Sequence, residues 1–415
     1  MKIGIFYEHQ LPRPWAEADE QKLLRDALDQ IELADRLGID YVWEVEHHFL
    51  EEYSHSSAPE VFLAAASQRT RRIRLGHGVV LLPPGYNHPA RVAERIATLD
   101  LLSGGRVDFG TGESSSEMEL GGFGIAREEK RKMWESMLEL IPRMLVEEPF
   151  TGCQTPYLSM PPRNVVPKPV QKPHPPLWVA CSRRETIHLA AEKGLGALTF
   201  AFIDPDEARH WVGDYYATLA SAVPAGYAVN PNLAIVTPFL CDRDEQRAID
   251  RGIDGAHFFG YSLAHYYVFG DQRPGRTDIW QEFQQRRELL GFSRKIVRAD
   301  GAPLGATLKE GGLSAMRGAI GTPDQIRAFL RGYEEMGVDQ VILVSQAGRN
   351  RHEDICESLE LFGREVLPEF AERDEPAQRA KAARLAPVLE RALARKERPP
   401  APVDDAYHVR AVLKV

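Results

Sequence analysis

Gly38-Ile39-Asp40-Tyr41-Val42-Trp43-Glu44-Val45-Glu46-His47-His48-Phe49 is the stretch that decides the fold. Ahead of it, Leu24, Ala27, Leu28, Ile31, Ala34 and Leu37 recur at helical spacing, and Gly38 is placed to end that helix in a left-handed turn. Tyr41 to Val45 then reads as a strand, so Glu46-His47-His48 falls at its C-terminal end. In a parallel α/β sheet or barrel that end faces the ligand. The same signature returns near the other end of the chain, where Met336-Gly337-Val338-Asp339-Gln340-Val341 echoes Leu37-Gly38-Ile39-Asp40-Tyr41-Val42.

Working outward, strand-like runs alternate with helical patterns. The strands are Met1–Tyr7, Tyr41–Val45, Ile73–Leu82, Arg106–Gly110, Leu177–Ala180, Ala197–Ala201, Leu233–Thr237 and Gln340–Val344. Helices are expected over Pro89–Leu102, between Pro89 and the stop Ser103-Gly104-Gly105, over Arg127–Val146, from Arg184, from Asp204-Pro205, and over Glu353–Val366. This order implies parallel strands joined by crossover helices, and eight such units predict a (β/α)8 TIM barrel. Two loop insertions interrupt it, Tyr157–Pro176 and Gly270–Gly312. The barrel domain spans 1–370. Residues 371–415 form a C-terminal extension, helical from Pro376 to Glu397 with a strand-like tail from Val409 to Val415. A solvated arm and a segment docking on a neighbouring subunit are both open readings of it.

Composition bounds the partners. The chain has 415 residues, 43% hydrophobic and 27% charged, with a net charge of −9. That acidity argues against nucleic acid, and no stretch approaches the length of a membrane span. The first residues read as a strand rather than a signal peptide. Cys153, Cys181, Cys241 and Cys356 lack CxxC spacing, which points to reduced thiols and a cytoplasmic protein.

The chemistry centres on Glu46, His47 and His48. Strand-end histidines are often only hydrogen-bonded surface groups. Adjacent strand residues point to opposite faces, so the two imidazoles do not readily share an ion and no metal is expected. Parity leaves open which of them faces a pocket, because a bulge would swap them.

Two stretches could hold an anion. Gly110-Thr111-Gly112, followed by Glu113 and a serine run, allows close backbone approach. It lacks both the third glycine of a Rossmann fingerprint and the Gly-Lys-Ser/Thr ending of a P-loop. The better candidate is Cys181-Ser182-Arg183-Arg184, where a strand passes into a helix N-terminus. His88 reads as a cap or a pocket residue. Phe49, Tyr53, Tyr86, Phe123, Phe200 and Phe202 would suit an apolar mouth.

These residues resemble the bacterial luciferase-like flavin-dependent monooxygenases over most of residues 1–370. The resemblance rests on Gly38–Trp43 leading to Glu46–Phe49, on Leu82-Pro83 with His88–Glu94, and on Leu102–Val107 with Phe109-Gly110. Ala190–Gly194, Ile320–Asp324 and Phe362–Pro368 extend it in the same order.

It implies a two-component monooxygenase. Reduced FMN from a separate flavin reductase would react with O2 to a C4a-hydroperoxide, and one oxygen would enter a small apolar substrate. His47 matches the luciferase catalytic histidine, with Glu46 and His48 orienting it or shaping the pocket. Gly78-Val79 aligns with the strand end that backs the flavin, often a non-prolyl cis peptide. Gly112, Glu113, Cys181, Ser182, Arg183 and Arg184 fall in the cofactor region. Glu113 departs from luciferase, which has an arginine there, so the phosphate is expected to rely on Ser182, Arg183 and Arg184. A homodimer is expected. The alternatives are a deazaflavin-dependent hydride-transfer enzyme and a non-catalytic partner subunit.

Overall fold

The computed structural model describes residues 1–199, 205–287, 289, 308–309, 312–313, 317–396 and 402–410. Eight parallel strands close a barrel: β1 Lys2–Tyr7, β2 Tyr41–Glu44, β3 Arg74–His77, β4 Val107–Gly112, β5 Leu177–Cys181, β6 Gly196–Thr199, β7 Leu233–Cys241 and β8 Gln340–Gln346. Closure is made where β7 pairs with both β6 (Leu233 opposite Ala197) and β8 (Ala234 opposite Gln340). Lys2 of β1 stands opposite Gln340 as well.

The helices are α1 Asp19–Leu37, α2 Pro59–Arg69, α3 Pro89–Ser103, α4 Glu117–Gly122, α5 Lys130–Val146, α6 Arg184–Glu192, α7 Pro205–Leu219, α8 Glu245–Ala264, α9 Ile279–Arg286, α10 Pro323–Glu335, α11 His352–Glu365 and α12 Leu367–Ala394. None of the described helices is long and apolar enough to cross a membrane.

The repeated Gly-x-Asp has one physical cause. Gly38 (φ 96°) and Gly337 (φ 85°) take the left-handed conformation at the ends of their helices. Each aspartate then accepts from a strand-start amide on the neighbouring strand. Asp40 accepts from Ile3 N–H at 3.0 Å and Lys2 Nζ at 2.7 Å, while Asp339 accepts from Leu233 N–H at 2.8 Å. The main core, with Ile31, Leu75, Val107, Leu343 and Phe362, fills the space between barrel and helices. A second cluster, with Phe6, Trp43, Trp178, Val236 and Ile342, fills the barrel. Trp43 and Trp178 meet there edge to face at 5.2 Å.

The structure corrects several expectations. The third strand is not continuous: β3 ends at His77, and Val80–Leu81 resumes beside Thr111 and Gly112 of β4. The intervening Gly78-Val79 turns toward β2, with Gly78 N–H donating to Glu44 O at 2.6 Å and Val79 O accepting from Glu46 N–H at 3.1 Å. All cis peptides among the described residues precede proline, so the Gly78–Val79 bond is trans.

β7 is longer than the expected Leu233–Thr237, and its upper half carries a short extra parallel strand, Ala319–Gly321. In the 157–176 insertion, Ser159–Met160 pairs with Cys153–Gln154 as a small hairpin. The 270–312 insertion holds α9, so its described part is not devoid of regular structure. The sixth strand is described to Thr199, and residues 200–201 and Asp204 lie outside the described residues.

The C-terminal helix begins at Leu367 and runs unbroken through Pro376 and Pro387. It lies against the barrel base, where Asp374 binds the Met1 ammonium at 3.2 Å and Lys2 at 2.9 Å, and Lys381 binds Asp339 at 2.6 Å. Tyr407 follows it back to Arg163 at 2.9 Å. Residues 411–415 of the expected tail lie outside the described residues.

Candidate active site

Three strand ends and one short helix build the site. β1 ends into Glu8 and His9, β2 into Glu46, His47 and His48, and β4 into Glu113 and Ser114. The backbone turns sharply at each exit: His9, Phe49 and Ser114 have φ of 55°, 65° and 62°. Non-glycine residues in this region cost about 1–3 kcal/mol each and cluster where surrounding contacts enforce them, typically at functional sites.

His47 is held from two sides. Its Nδ1 lies 2.9 Å from Glu119 Oε1, and its Nε2 faces Glu8 Oε2 at 3.6 Å. Burial would lower its pKa, but Glu8, Glu119 and Glu46 outweigh it and raise it to about 9. Glu119 sits in α4, whose Ser116 side chain caps the helix, and is wholly buried. Its carboxylate also accepts Ser114 Oγ at 2.6 Å and His48 N–H at 3.0 Å. Burial would raise its pKa, yet His47 and those donors hold it below the usual range. Glu8, 2% exposed, accepts the Tyr53 hydroxyl at 2.9 Å, and burial pushes it up to about 7.

His48 belongs to a separate network. Its Nε2 lies 3.2 Å from Glu46 Oε1, and Glu46 in turn accepts Asn87 Nδ2 at 2.8 Å and Leu81 N–H at 2.7 Å. The two imidazoles thus diverge. Among the described residues no three or more His, Cys, Asp and Glu side chains are gathered as a metal site would need. Phe123 meets the His48 ring edge-on at 4.9 Å and Tyr86 stacks on it at 6.3 Å. Over His47, Tyr53 packs at 5.6 Å, and it also contacts Tyr267 of the π-helical turn His265–Phe269 at 6.5 Å. Phe200 and Phe202 lie outside the described residues. His88 is the cap of α3, its Nδ1 accepting from Ala90 N–H at 3.2 Å.

The expected anion-binding residues divide. Arg184 is bound by Asp214 of α7, with Nε at 2.8 Å, which leaves it committed to a surface pair. Arg183 caps α6 from an exposed position, and its N–H meets Thr186 Oγ1 at 3.3 Å. Ser182 is exposed at the same turn. Cys181 is buried, and burial pushes its thiol up to about 12 despite the nearby Arg131 charge.

Glu113 is not a lone carboxylate, because Lys130 lies 3.2 Å and Arg131 2.9 Å from it. Lys130 also donates to Ser114 O at 2.6 Å. Gly112 is where Val79 packs, since a Cβ there would lie 2.4 Å from Val79 Cγ2.

Glu8, Glu119, Lys130 and Arg131 were missed in the sequence. Glu8 follows an apolar strand just as Glu46 does, so the same strand-end reasoning would have reached it. Glu119 sits behind a Ser-capped acidic first turn, a weaker signal. The two cations resemble any solvated helix face.

Comparison with known proteins places this geometry. The family model for luciferase-like monooxygenases matches residues 1–340. Limonene 1,2-monooxygenase of Rhodococcus erythropolis is 35% identical over 210 residues, 48% of this chain and about half (51%) of that protein. The oxygenase component of the flavin-dependent trigonelline monooxygenase of Acinetobacter baylyi is 28% identical over 90% of this chain and 96% of its own.

Among solved structures, monooxygenase RslO1 from Streptomyces bottropensis superposes with a TM-score of 0.69 at 25% identity, covering 89% of this chain and all (100%) of that one. The 3,6-diketocamphane monooxygenase of Pseudomonas putida, solved with FMN, shares the fold at 20% identity, with a TM-score of 0.67 over 89% of this chain and 98% of that one. With the matched segment running from β1 into β8 and through every strand end of the site, the chain belongs to the luciferase-like monooxygenase family.

Proposed function

We propose that the chain is the oxygenase component of a two-component monooxygenase that uses reduced FMN, supplied by a separate reductase, and O2 to oxygenate a small apolar substrate. The observation that carries this reading is His47, held at the barrel's C-terminal mouth between Glu119 and Glu8. The residues present fit the cofactor. Val79, with Gly78 beside Trp43, offers an apolar rest for a planar ring. Lys130 and Arg131 offset Glu113, and Arg131 brings positive charge near Cys181, beside which Ser182 and Arg183 would meet a phosphate.

Bound reduced FMN would supply the electrons that activate dioxygen. The protein's part is proton control and exclusion of water. Glu119 fixes the His47 ring through Nδ1, so Nε2 is the nitrogen that holds or moves a proton. General acid–base catalysis of this kind contributes about 10²–10⁴-fold. Tyr53, Tyr86, Phe123 and Tyr267 line the site with rings that favour an apolar substrate. Glu46 and His48 form the wall beside it.

The test is a coupled assay. With a flavin reductase, NADH, FMN and a panel of ketones, terpenes, aldehydes and aromatics, at least one product should carry oxygen-18 from 18O2. Hydride transfer with reduced deazaflavin, and no oxygen incorporation anywhere, would instead favour the hydride-transfer reading. The F420-dependent secondary alcohol dehydrogenase that shares the fold gives that reading its place.

A further inference from the structure

The Glu8 carboxylate is only half satisfied. Glu8 Oε1 takes the Tyr53 hydroxyl at 2.9 Å, and Ser54 Oγ fixes the Glu8 carbonyl at 2.8 Å, but buried Oε2 has no hydrogen bond. An orphaned buried carboxylate oxygen is costly, so its environment calls for explanation. The group facing it is His47 Nε2, 3.6 Å away, too long for a hydrogen bond and short enough for a small side-chain movement or a bridging hydroxyl to close.

The other acids nearby are engaged elsewhere. Glu44 of β2 takes Ser56 Oγ at 2.5 Å and faces His9 Nε2 at 2.8 Å, both through Oε1, and its Oε2, also without a hydrogen bond, pairs with no cation among the described residues. Glu119 of α4 takes His47 Nδ1, Ser114 Oγ and His48 N–H. From the π-helical turn, Tyr267 faces Glu8 and Glu119 and adds no cation.

We propose that Glu8 is the proton-sharing partner of His47, a positioning residue that takes the proton from Nε2 and returns it. In the exchange an Nε2–H bond breaks and an Oε2–H bond forms. An imidazolium and a carboxylate become a neutral imidazole and a carboxylic acid, and no further reactant is needed. Two ionisations brought near each other across neutrality suit such a pair: burial raises Glu8 to about 7, and the carboxylates overcome burial to raise His47 to about 9. Which reaction uses this proton rests on the monooxygenase reading; the sharing itself does not.

The test is therefore made on the ligand-free protein. NMR titration of the labelled His47 imidazole should show two coupled steps in the wild type. In Glu8→Gln it should show a single step, its midpoint lower by about one pH unit or more, about tenfold in proton affinity. Glu8→Asp should recover part of the shift. Infrared titration of the wild-type protein needs no variant, and should show a protonated carboxyl persisting to about pH 7. An unchanged single step in Glu8→Gln, or no protonated carboxyl above pH 5.5, overturns the proposal. In turnover, Glu8→Gln should also lose the limb of the kcat profile near pH 7. Failure of that assay alone, with the NMR shift intact, would count against the monooxygenase reading rather than against the pair.

Discussion

His47 Nδ1 and Glu119 Oε1 stand 2.9 Å apart, joining the exit of β2 to a six-residue helix 72 positions further along the chain. This bond sets the ring's orientation and adds to its positive charge. Glu119→Gln should therefore lower the His47 titration midpoint by NMR and slow product formation by about tenfold or more. Unchanged values for both would remove Glu119 from the account.

His47→Ala keeps the barrel mouth and the cations beside Glu113. It should bind reduced FMN with little change while product formation falls by about 10²–10⁴-fold. Flavin titration beside a coupled turnover assay measures both, and equal loss of binding and turnover would mean that His47 only shapes the pocket.

Arg131 and Arg184 should separate. Arg131→Ala removes a guanidinium beside Glu113 and near Cys181, and FMN affinity should drop about 10–100-fold, the value of a lost charge-assisted hydrogen bond. Arg184 is spent on Asp214 at the surface, so Arg184→Ala should change affinity by less than about threefold. Fluorescence titration with FMN would reverse the assignment if Arg184 proved the more costly loss.

Stability should depend on pH through the same groups. His47 has a raised folded pKa, so its contribution is complete below its ordinary value of 6.5 and is lost as pH rises through about 9. Glu8 is also raised, from 4.5 to about 7, so ionising it penalises the fold increasingly over that interval. Buried His77, lowered to about 4, has the opposite sign up to its ordinary value of 6.5. Above that pH the melting temperature should fall, from pH 6.5 to 9, and fall less in the Glu8→Gln variant. A melting temperature that rises from pH 6.5 to 9 would contradict the His47 assignment.

Packing gives a prediction independent of chemistry. A Cβ on Gly110 of β4 would lie 1.9 Å from the carbonyl oxygen of His77 on β3, a backbone atom that cannot swing aside. Gly110→Ala should lower the melting temperature sharply or prevent folding. Gly121 in α4 has nothing within 4 Å, so Gly121→Ala should be neutral or stabilising by up to about 1 kcal/mol. Calorimetry of the two variants checks the contrast.

The barrel was legible because its signals are local. Gly38 and Gly337 mark helix ends, and Asp40 and Asp339 the strand starts that follow. What sequence periodicity missed was decided by tertiary contacts. α8 has its polar stripe, Arg247, Asp250, Arg251 and Asp254, only in its first half, and from Gly255 to Ser262 it is buried all round and shows no amphipathic period. The break after His77 depends on Glu44 and Glu46 of a neighbouring strand exit meeting Gly78 and Val79. The motif Glu46-His47-His48 was visible, but its division into two networks was not, since the partners Glu119 and Glu8 arrive from other parts of the chain.

The most direct test of the central claim is stopped-flow mixing of oxygen with anaerobic protein preloaded with reduced FMN. The expected result is a long-lived absorbance transient that free reduced FMN lacks, decaying faster when a turned-over substrate is present and losing that acceleration in His47→Ala. Oxidation of the flavin at its free-solution rate, with no transient in the wild-type protein, would contradict it.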